Sequence, residues 1–278
     1  MQVFRTIADF RSWRANADGS VGLVPTMGFL HEGHLSLVRA ARRDNGRVVV
    51  SIFVNPTQFA PTEDLSQYPR DETRDLALLE AASVDVVFAP TNEEMYPAGY
   101  ATYVAVEELT QRLEGASRPT HFRGVTTVVL KLLNIVRPER AYFGQKDAQQ
   151  LTVIRRMVRD LDLPIDVVGL PIVREPDGLA MSSRNVFLTI EQRPAALVLS
   201  QALRFAAACY GEGERDAAVI RARMQALIAA QPLATVDYVS IAAADTLDEV
   251  AIIDAPVLVS LAARFGTTRL IDNLTLGG

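Results

Sequence analysis

The chain has 278 residues, of which 49% are hydrophobic and 22% charged, and its net charge at pH 7 is −5. This length can bury two unequal cores, and the composition is ordinary for a globular protein. Lys and Arg form no tract, which argues against a nucleic-acid partner. No apolar run is long enough to span a bilayer, since Asp254 and Pro256 interrupt the best candidate. We therefore expect a soluble protein with no membrane partner.

Cysteine usage and the amino terminus bear on the compartment. Cys209 is the only cysteine, so the sequence offers no disulfide framework and a reducing compartment is expected. Its neighbours, AAACY, form an apolar helix face, which indicates a packing role rather than a nucleophile. The first residues mix acids and bases too early for a secretory signal. These features predict a cytoplasmic protein.

The amino-terminal part alternates strands and helices. Residues 1–20 predict a short amphipathic helix, with Val3, Phe4, Ile7 and Phe10 on one side. Strands are predicted at 21–24, 47–54, 84–89, 102–106, 140–143 and 165–168. Helical segments are predicted after the first strand, through Leu35, Val38 and Ala41, and at 72–82, 107–113, 125–136 and 148–161. This alternation indicates an α/β fold with a Rossmann-like, doubly wound parallel sheet.

The pattern changes near Pro171. Residues 172–175, the turn at 176–178 and residues 180–185 predict a hairpin. Helices at 192–210 and 216–230 and strands at 236–241, 257–263 and 268–271 then predict a smaller α+β module. We expect two domains, residues 1–174 and residues 175–278.

One stretch, VGLVPTMGFLHEGHLSL at 21–37, combines a strand, a glycine-containing loop and a helix start. The strand is predicted to stop at Pro25, and Gly28 and Gly33 shape the loop. A helix amino terminus beside a strand end attracts anions, phosphate above all. His31 and His34 can face one way and donate hydrogen bonds to charge that develops during phosphoryl or nucleotidyl transfer. The alternative is that both histidines are polar first-turn residues and the glycines only shape a turn.

Other polar clusters also follow predicted strands, where ligands bind in an open parallel sheet. They comprise Asn55, Thr57 and Gln58; Gly144, Gln145, Lys146 and Asp147, with Gln149 and Gln150; and Met181, Ser182, Ser183 and Arg184 after the hairpin. Each alone has a plain structural explanation as a turn, a helix cap or a solvated charge. Their shared position makes coincidence a weaker explanation.

The histidines also allow a metal site, and the phosphate site lacks the common glycine motifs. A zinc site built from His31, His34 and His121 is one alternative, although the spacing of the first two does not match H-E-x-x-H and no cysteine lies nearby.

The sequence contains neither a Walker A motif nor G-x-G-x-x-G. A phosphate site would therefore combine the histidine loop with Lys146 and the hydroxyl and guanidinium groups at 182–184, which could close over a triphosphate.

Six motifs in order resemble the pantothenate synthetase (pantoate–β-alanine ligase) family: PTMGFLHEGH, FVNPTQF, YPR, RPTHFRGV, FGQKDAQQL and GLAMSSRN. The resemblance covers about residues 21–190. It implies an adenylate-forming nucleotidyltransferase superfamily fold and an AMP-forming ligase. Such an enzyme activates (R)-pantoate with ATP to give pantoyl adenylate and pyrophosphate, and β-alanine then displaces AMP to give pantothenate.

The resemblance also implies roles for individual residues. The catalytic set is His31, His34, Lys146, Ser182, Ser183 and Arg184, with His34 the better candidate for the family's proton donor. The ATP-binding set is Met27, Gly28, Phe29, Leu30, His31, Glu32, Gly33, His34, Gly144, Gln145, Lys146, Asp147, Val173, Met181, Ser182, Ser183 and Arg184. Pantoate ligands are Gln58 and Gln150, and Gln58 also contacts β-alanine, with Asn55, Arg118 and His121 as further candidates.

The remaining implications concern the metal, the assembly and rival activities. Mg²⁺ accompanies ATP, no tightly bound organic cofactor is expected, and the enzymes are usually cytoplasmic homodimers. Family members often carry two adjacent acids after YPR, whereas here Arg74 precedes Asp75, so Asp75 is a weak metal candidate. One rival is a nucleotidyltransferase with a phosphorylated acceptor, against which the neutral Gln58 and Gln150 argue. Another is a non-catalytic nucleotide sensor.

Overall fold

A computed structural model describes residues 1–59 and 65–277, with only the backbone of Gln67. It divides into two compact units. The first comprises Met1–Gln145 and Val153–Pro171, and the second comprises Lys146–Thr152 and Ile172–Gly278. In the described part of the chain, no helix is long and apolar enough to cross a membrane.

The first unit contains a six-stranded parallel sheet with strand order β1-β4-β3-β2-β5-β6. Its strands are β1 (Gln2–Phe4), β2 (Val21–Thr26), β3 (Arg47–Ile52), β4 (Val86–Phe88), β5 (Arg140–Gly144) and β6 (Asp166–Leu170). The predicted Rossmann-like α/β fold is confirmed. The strand order reverses direction between β2 and β5, which is the point where open parallel sheets bind ligands.

Helices cover both faces of this sheet. In chain order up to residue 160, the α-helices are α1 (Ile7–Ala15), α2 (Glu32–Asp44), α3 (Glu72–Ala81), α4 (Asn92–Met95), α5 (Glu114–Ser117), α6 (His121–Val136) and α7 (Ala148–Asp160). Helices α2 and α3 share a buried core with Val24, Val50 and Val87 of the strands. On the other face, Phe10 of α1 packs against Phe88 of β4, with ring centroids 5.1 Å apart. Burial on both faces explains the continuous apolar runs of the central strands.

The second unit carries α8 (Gln192–Ala195), α9 (Val198–Gly211) and α10 (Ala217–Ala229), with a three-stranded antiparallel sheet. The strands are β7 (Ala234–Ala243), β8 (Val257–Phe265) and β9 (Thr268–Leu276). Cys209 is 4% exposed within the core of this unit, as its apolar surroundings predict.

The helix predicted over residues 1–20 is wrong at its start. Residues Gln2–Phe4 form β1 and pair in parallel with Val86–Phe88. The helix begins only at Ile7, because the side chain of Thr6 caps it by accepting the backbone N–H of Asp9 at 3.1 Å. The apolar spacing is compatible with a helix, but the backbone of the first residues pairs with the edge of β4 instead.

The first strand does not stop at Pro25. Strand β2 continues to Thr26 and pairs with β3 along its whole length, but its pairing with β5 involves only Gly22 and Leu23. Pro25 is therefore tolerated where one edge of the strand has no ladder partner in β5.

The strand predicted at 102–106 is also wrong. This segment is extended but joins no ladder, and helix α6 supplies its hydrogen bonds. Val104 donates its N–H to Thr127 Oγ1 at 3.0 Å and accepts at its carbonyl from Thr126 Oγ1 at 2.7 Å.

The hairpin predicted after Pro171 is reduced to an isolated bridge. Arg174 pairs with Ala180 in antiparallel fashion, and residues Ser183–Phe187 form a 3-10 helix rather than a second strand.

Candidate active site

The loop after β2 turns sharply at the carboxyl end of the strand. Thr26 Oγ1 donates to the carbonyl of Ser51 at 2.7 Å and accepts the N–H of Gly28 at 3.2 Å. Gly28 has φ of 80° and Phe29 has φ of 51°, both in the left-handed region. Glycine adopts this region without penalty. The turn directs the chain from the strand into helix α2.

Asp75, in the first turn of α3, contacts this loop. Its Oδ2 accepts the N–H of Phe29 at 2.6 Å and its Oδ1 accepts the N–H of Leu30 at 2.7 Å. The residue is 1% exposed. Burial raises the pKa of the Asp75 carboxyl above its ordinary value, although the two N–H groups and Arg74 oppose the rise. The structure thus gives Asp75 a task in shaping the loop, and its metal role stays a prediction without support from this geometry.

His31 and His34 cap helix α2 reciprocally. His31 Nδ1 accepts the N–H of Gly33 at 3.1 Å, and His34 Nδ1 accepts the N–H of His31 at 3.3 Å. The imidazole rings lie 4.0 Å apart between centroids with a tilt of 35°. A ring nitrogen that accepts a hydrogen bond carries no proton, so each neutral ring holds its proton on Nε2. Both Nε2–H groups are donors of the kind that a phosphate oxygen accepts.

The predicted phosphate donors in this loop are mostly engaged within the protein. The backbone N–H groups of Gly28, Phe29, Leu30, His31 and Gly33 all donate to side chains of the first unit. An anion that met these groups would compete with existing hydrogen bonds.

A second loop, Pro56–Gln58, follows β3. Asn55 is 1% exposed, and its Nδ2 donates to Gln58 Oε1 and to the carbonyl of Gly124, each at 3.1 Å. Gln58 Nε2 lies 3.0 Å from Met27 Sδ. This contact joins two predicted substrate loops. One is the loop between β2 and α2, called the histidine loop, and the other is Pro56–Gln58, called the glutamine loop.

Helix α6 supports the glutamine loop from its amino terminus. His121 Nδ1 lies 2.9 Å from the carbonyl oxygen of Gln58, and a guanidinium nitrogen of Arg118 donates to the same oxygen at 3.3 Å. A Cβ at Gly124 would lie 2.4 Å from the carbonyl oxygen of Thr57, so this position requires glycine. Asn55, Arg118 and His121, predicted as further candidates, thus belong to one network with Gln58.

A zinc site is not formed by these histidines. Within residues 1–59 and 65–277, no group of three or more His, Cys, Asp or Glu side chains could hold a metal ion. The alternative based on His31, His34 and His121 is therefore wrong, because the three side chains do not form a ligand cluster in the described part of the chain.

Several predicted site residues of the second unit are held by hydrogen bonds within that unit. The carbonyl of Lys146 accepts Asn273 Nδ2 at 2.8 Å, so strand β9 holds the lysine backbone. Met181 donates its N–H to the carbonyl of Val173 at 3.0 Å. Ser182 caps the following 3-10 helix by accepting the N–H of Arg184 at 3.2 Å.

Beside this segment, Arg174 makes a bidentate ion pair with Asp272. The two nitrogen–oxygen distances are 2.6 Å and 2.9 Å, and Asp272 is 2% exposed. The pair ties residues 172–182 to strand β9 within the second unit. The predicted roles of Gly144, Gln145, Asp147 and Gln150 stay predictions.

Two supporting residues were missed by sequence reasoning. Tyr96 donates its hydroxyl to Asn55 Oδ1 at 2.8 Å, and burial raises the pKa of Tyr96 to about 12. Asn273 holds Lys146 from 127 positions away. Neither has a neighbouring motif, so no local signal in the sequence could have found them.

The parallel sheet, with two imidazoles at the carboxyl end of a strand beside the point of reversal, defines a Rossmann-like nucleotide-binding α/β enzyme. The family model described as pantoate-beta-alanine ligase matches residues 2–275. The chain therefore belongs to the pantoate–β-alanine ligase family.

Individual relatives agree with this assignment. The chain is 61% identical to a pantothenate synthetase of Roseiflexus castenholzii, with 99% of each chain covered. A pantothenate synthetase structure from Thermus thermophilus has 51% identity and a TM-score of 0.95, with 99% of each chain covered. A ligase structure from Francisella tularensis, in complex with beta-gamma ATP and beta-alanine, has 34% identity and a TM-score of 0.81, covering 99% of this chain and 97% of that one.

Proposed function

We propose that this protein condenses (R)-pantoate with β-alanine, using ATP and passing through pantoyl adenylate. The observation that carries the proposal is the reciprocally capped pair of His31 and His34, which presents two Nε2 donors at a ligand-binding strand end. Membership of the pantoate–β-alanine ligase family supports the substrate assignment.

In the first step, a carboxylate oxygen of pantoate attacks the α-phosphorus of ATP. A new oxygen–phosphorus bond forms, the bond to the β-phosphate bridging oxygen breaks, and pyrophosphate leaves. The nucleophile is already ionised, so the step needs charge stabilisation more than a base. His31 and His34 donate hydrogen bonds to phosphate oxygens, with His34 the leading candidate for proton donor.

In the second step, the amine of β-alanine attacks the acyl carbon of pantoyl adenylate. The carbon–nitrogen bond forms, the carbon–oxygen bond to AMP breaks, and the ammonium intermediate loses a proton. Gln58 and Gln150 hold pantoate, and Gln58 also contacts β-alanine, because amides bind carboxylates and hydroxyls without adding charge.

We further infer that the second unit supplies the cationic and hydroxyl donors. Lys146 neutralises charge on the α- and β-phosphates, and Ser182, Ser183 and Arg184 bind the phosphate tail. Residues 1–174 would then form the ATP- and pantoate-binding domain, and residues 175–278 a smaller lid domain.

Magnesium is proposed to enter with ATP as substrate. Mg²⁺ is commonly held by substrate phosphates and water with one or two protein carboxylates, rather than by an all-protein cage. No tightly bound organic cofactor is required by the two steps.

We also propose a cytoplasmic homodimer. The single, buried and unpaired thiol of Cys209 fits a reducing compartment. Dimerisation is carried over from the family resemblance, and the molar mass in solution measured by light scattering tests it.

The activity is tested by pyrophosphate release from the full-length protein. ATP and pantoate together should release pyrophosphate without β-alanine, and adding β-alanine should yield AMP and pantothenate. Pyrophosphate that appears only with all three substrates would count against the adenylate intermediate. Activity only with a phosphorylated acceptor would favour the nucleotidyltransferase rival, and nucleotide binding with no AMP formed would favour the sensor.

A further inference from the structure

We propose that Asp75 is the positioning residue of the histidine pair, fixing where His31 and His34 present their Nε2 donors. This inference rests on the proposed function, since it assigns a task within the same site.

The contact itself is specific. The two oxygens of Asp75 accept the N–H groups of Phe29 and Leu30 at 2.6 Å and 2.7 Å, from 46 and 45 positions away in the sequence. Leu30 immediately precedes His31, the N-cap of α2. The carboxylate therefore fixes the backbone direction with which the chain enters the capped helix.

Only a carboxylate satisfies this arrangement. Two N–H donors need two acceptor oxygens, and an amide provides one oxygen and one further donor. The first turn of α3 favours the negative charge at this position. Because both N–H groups are already engaged, we infer that they orient the loop and do not bind the phosphates.

Gly28 and Phe29 both lie directly beside the same carboxylate. A Cβ at Gly28 would lie 3.0 Å from Asp75 Oδ2 and 3.1 Å from a methyl carbon of Ile52. Phe29 adopts its left-handed conformation directly beside the hydrogen bond to Oδ2. The hydrogen bonds of Asp75 thus stabilise a strained turn that the histidines follow.

The test compares Asp75→Asn with Asp71→Asn in the full-length enzyme. Asp71 lies at the same helix terminus and caps α3 by accepting the N–H of Arg74 at 3.1 Å, so its replacement removes an equal charge without touching the loop. We expect Asp75→Asn to lower kcat at least a hundredfold with little change in the KM for pantoate. We expect Asp71→Asn to retain wild-type values.

A spectroscopic measurement separates positioning from a general loss of structure. In ¹⁵N-labelled protein, Asp75→Asn should change the Nδ1 and Nε2 signals of His31 and His34, whereas Asp71→Asn should not. Unchanged histidine signals or near-normal kcat in a folded Asp75→Asn protein would overturn the proposal. If that variant does not fold, Gly28→Ala, which presses on the same carboxylate, should produce the same changes.

The wild-type protein provides a test without any variant. The amides of Phe29 and Leu30 should be protected from hydrogen exchange, and ATP should leave that protection unchanged. Rapid exchange without ATP, or protection gained only with ATP, would show that these groups bind the ligand and would refute the inference. If the wild-type protein released no pyrophosphate from ATP and pantoate, the proposed function itself would be refuted instead.

Discussion

The backbone N–H of His31 lies 3.3 Å from Nδ1 of His34, so the second histidine of the motif caps the helix that the first begins. The cap fixes the tautomer of the ring as well as its position, because the accepting nitrogen cannot also carry a proton. One pair of residues thus couples the start of helix α2 to the chemistry proposed at Nε2.

Replacing His34 with alanine should abolish most of the activity without unfolding the protein. We expect kcat to fall by about 10²–10³, the range for loss of one transition-state hydrogen-bond donor. Ser36→Ala is the matched control, since Ser36 donates to the carbonyl of Gly33 in the same helical turn. Pyrophosphate release measures both, and a turnover close to wild type in His34→Ala would remove this residue from the mechanism.

Lysine replacement gives a second test, because the chain contains only two lysines, Lys131 and Lys146. We expect Lys146→Ala to reduce kcat by about 10²–10³, because the variant lacks the positive charge that neutralises the phosphates. Lys131 lies over the ring of Tyr100 at 4.7 Å, and Lys131→Ala should keep normal turnover. Similar turnover for the two variants would contradict the role of Lys146.

Replacing Gly124 with alanine tests whether the glutamine loop binds substrate. Alanine there would place a Cβ 2.4 Å from the carbonyl oxygen of Thr57 and 2.6 Å from the nitrogen of Gln58. We expect a clear rise in the KM for pantoate with a smaller change for ATP, because the loop must move away from α6.

Gly211→Ala is the matched control for Gly124→Ala. Nothing lies within 4 Å of a Cβ at Gly211, so this change should be neutral or slightly stabilising. Steady-state kinetics and thermal unfolding measure both variants, and an unaltered KM for pantoate in Gly124→Ala would argue against substrate binding by this loop.

The carboxylate of Asp85 is expected to make a pH-dependent contribution to the free energy of unfolding. Burial raises the pKa of its carboxyl, but the N–H of Val48 and the guanidinium groups of Arg42 and Arg47 outweigh burial, so the pKa lies below its ordinary value. This contribution is present above the unfolded-state pKa of about 3.9 and is lost as the pH falls through the folded-state pKa. We expect Asp85→Asn to cost about 1–2 kcal/mol at pH 7.

Urea unfolding at several pH values measures this effect. The difference between wild type and Asp85→Asn should shrink as the pH falls below about 4. Asp166→Asn is the control, because the side chain of Asp166 is 77% exposed and lies 3.8 Å from Arg140. A difference that stays constant across this pH range would exclude the ionic contribution.

Local sequence signals predicted most of the elements because their causes are local. Helix α2 follows from the spacing of Leu35, Val38 and Ala41, of which Val38 and Ala41 are buried and Leu35 is half-buried. The errors occurred where a distant partner decides the structure. Residues 2–4 became a strand because β4 offers an edge, and residues 102–106 did not because α6 takes their hydrogen bonds.

The sequence by itself determined the family, the alternating fold and the motif that carries His31 and His34. These properties depend on residue type and short spacing, which the chain displays directly. Only the tertiary structure decided that Asp75 holds the loop before His31, that Tyr96 and Gly124 support Asn55, and that Asn273 holds Lys146. Each of these contacts joins residues at least 41 positions apart, and a hydrogen bond depends on distance in space rather than along the chain.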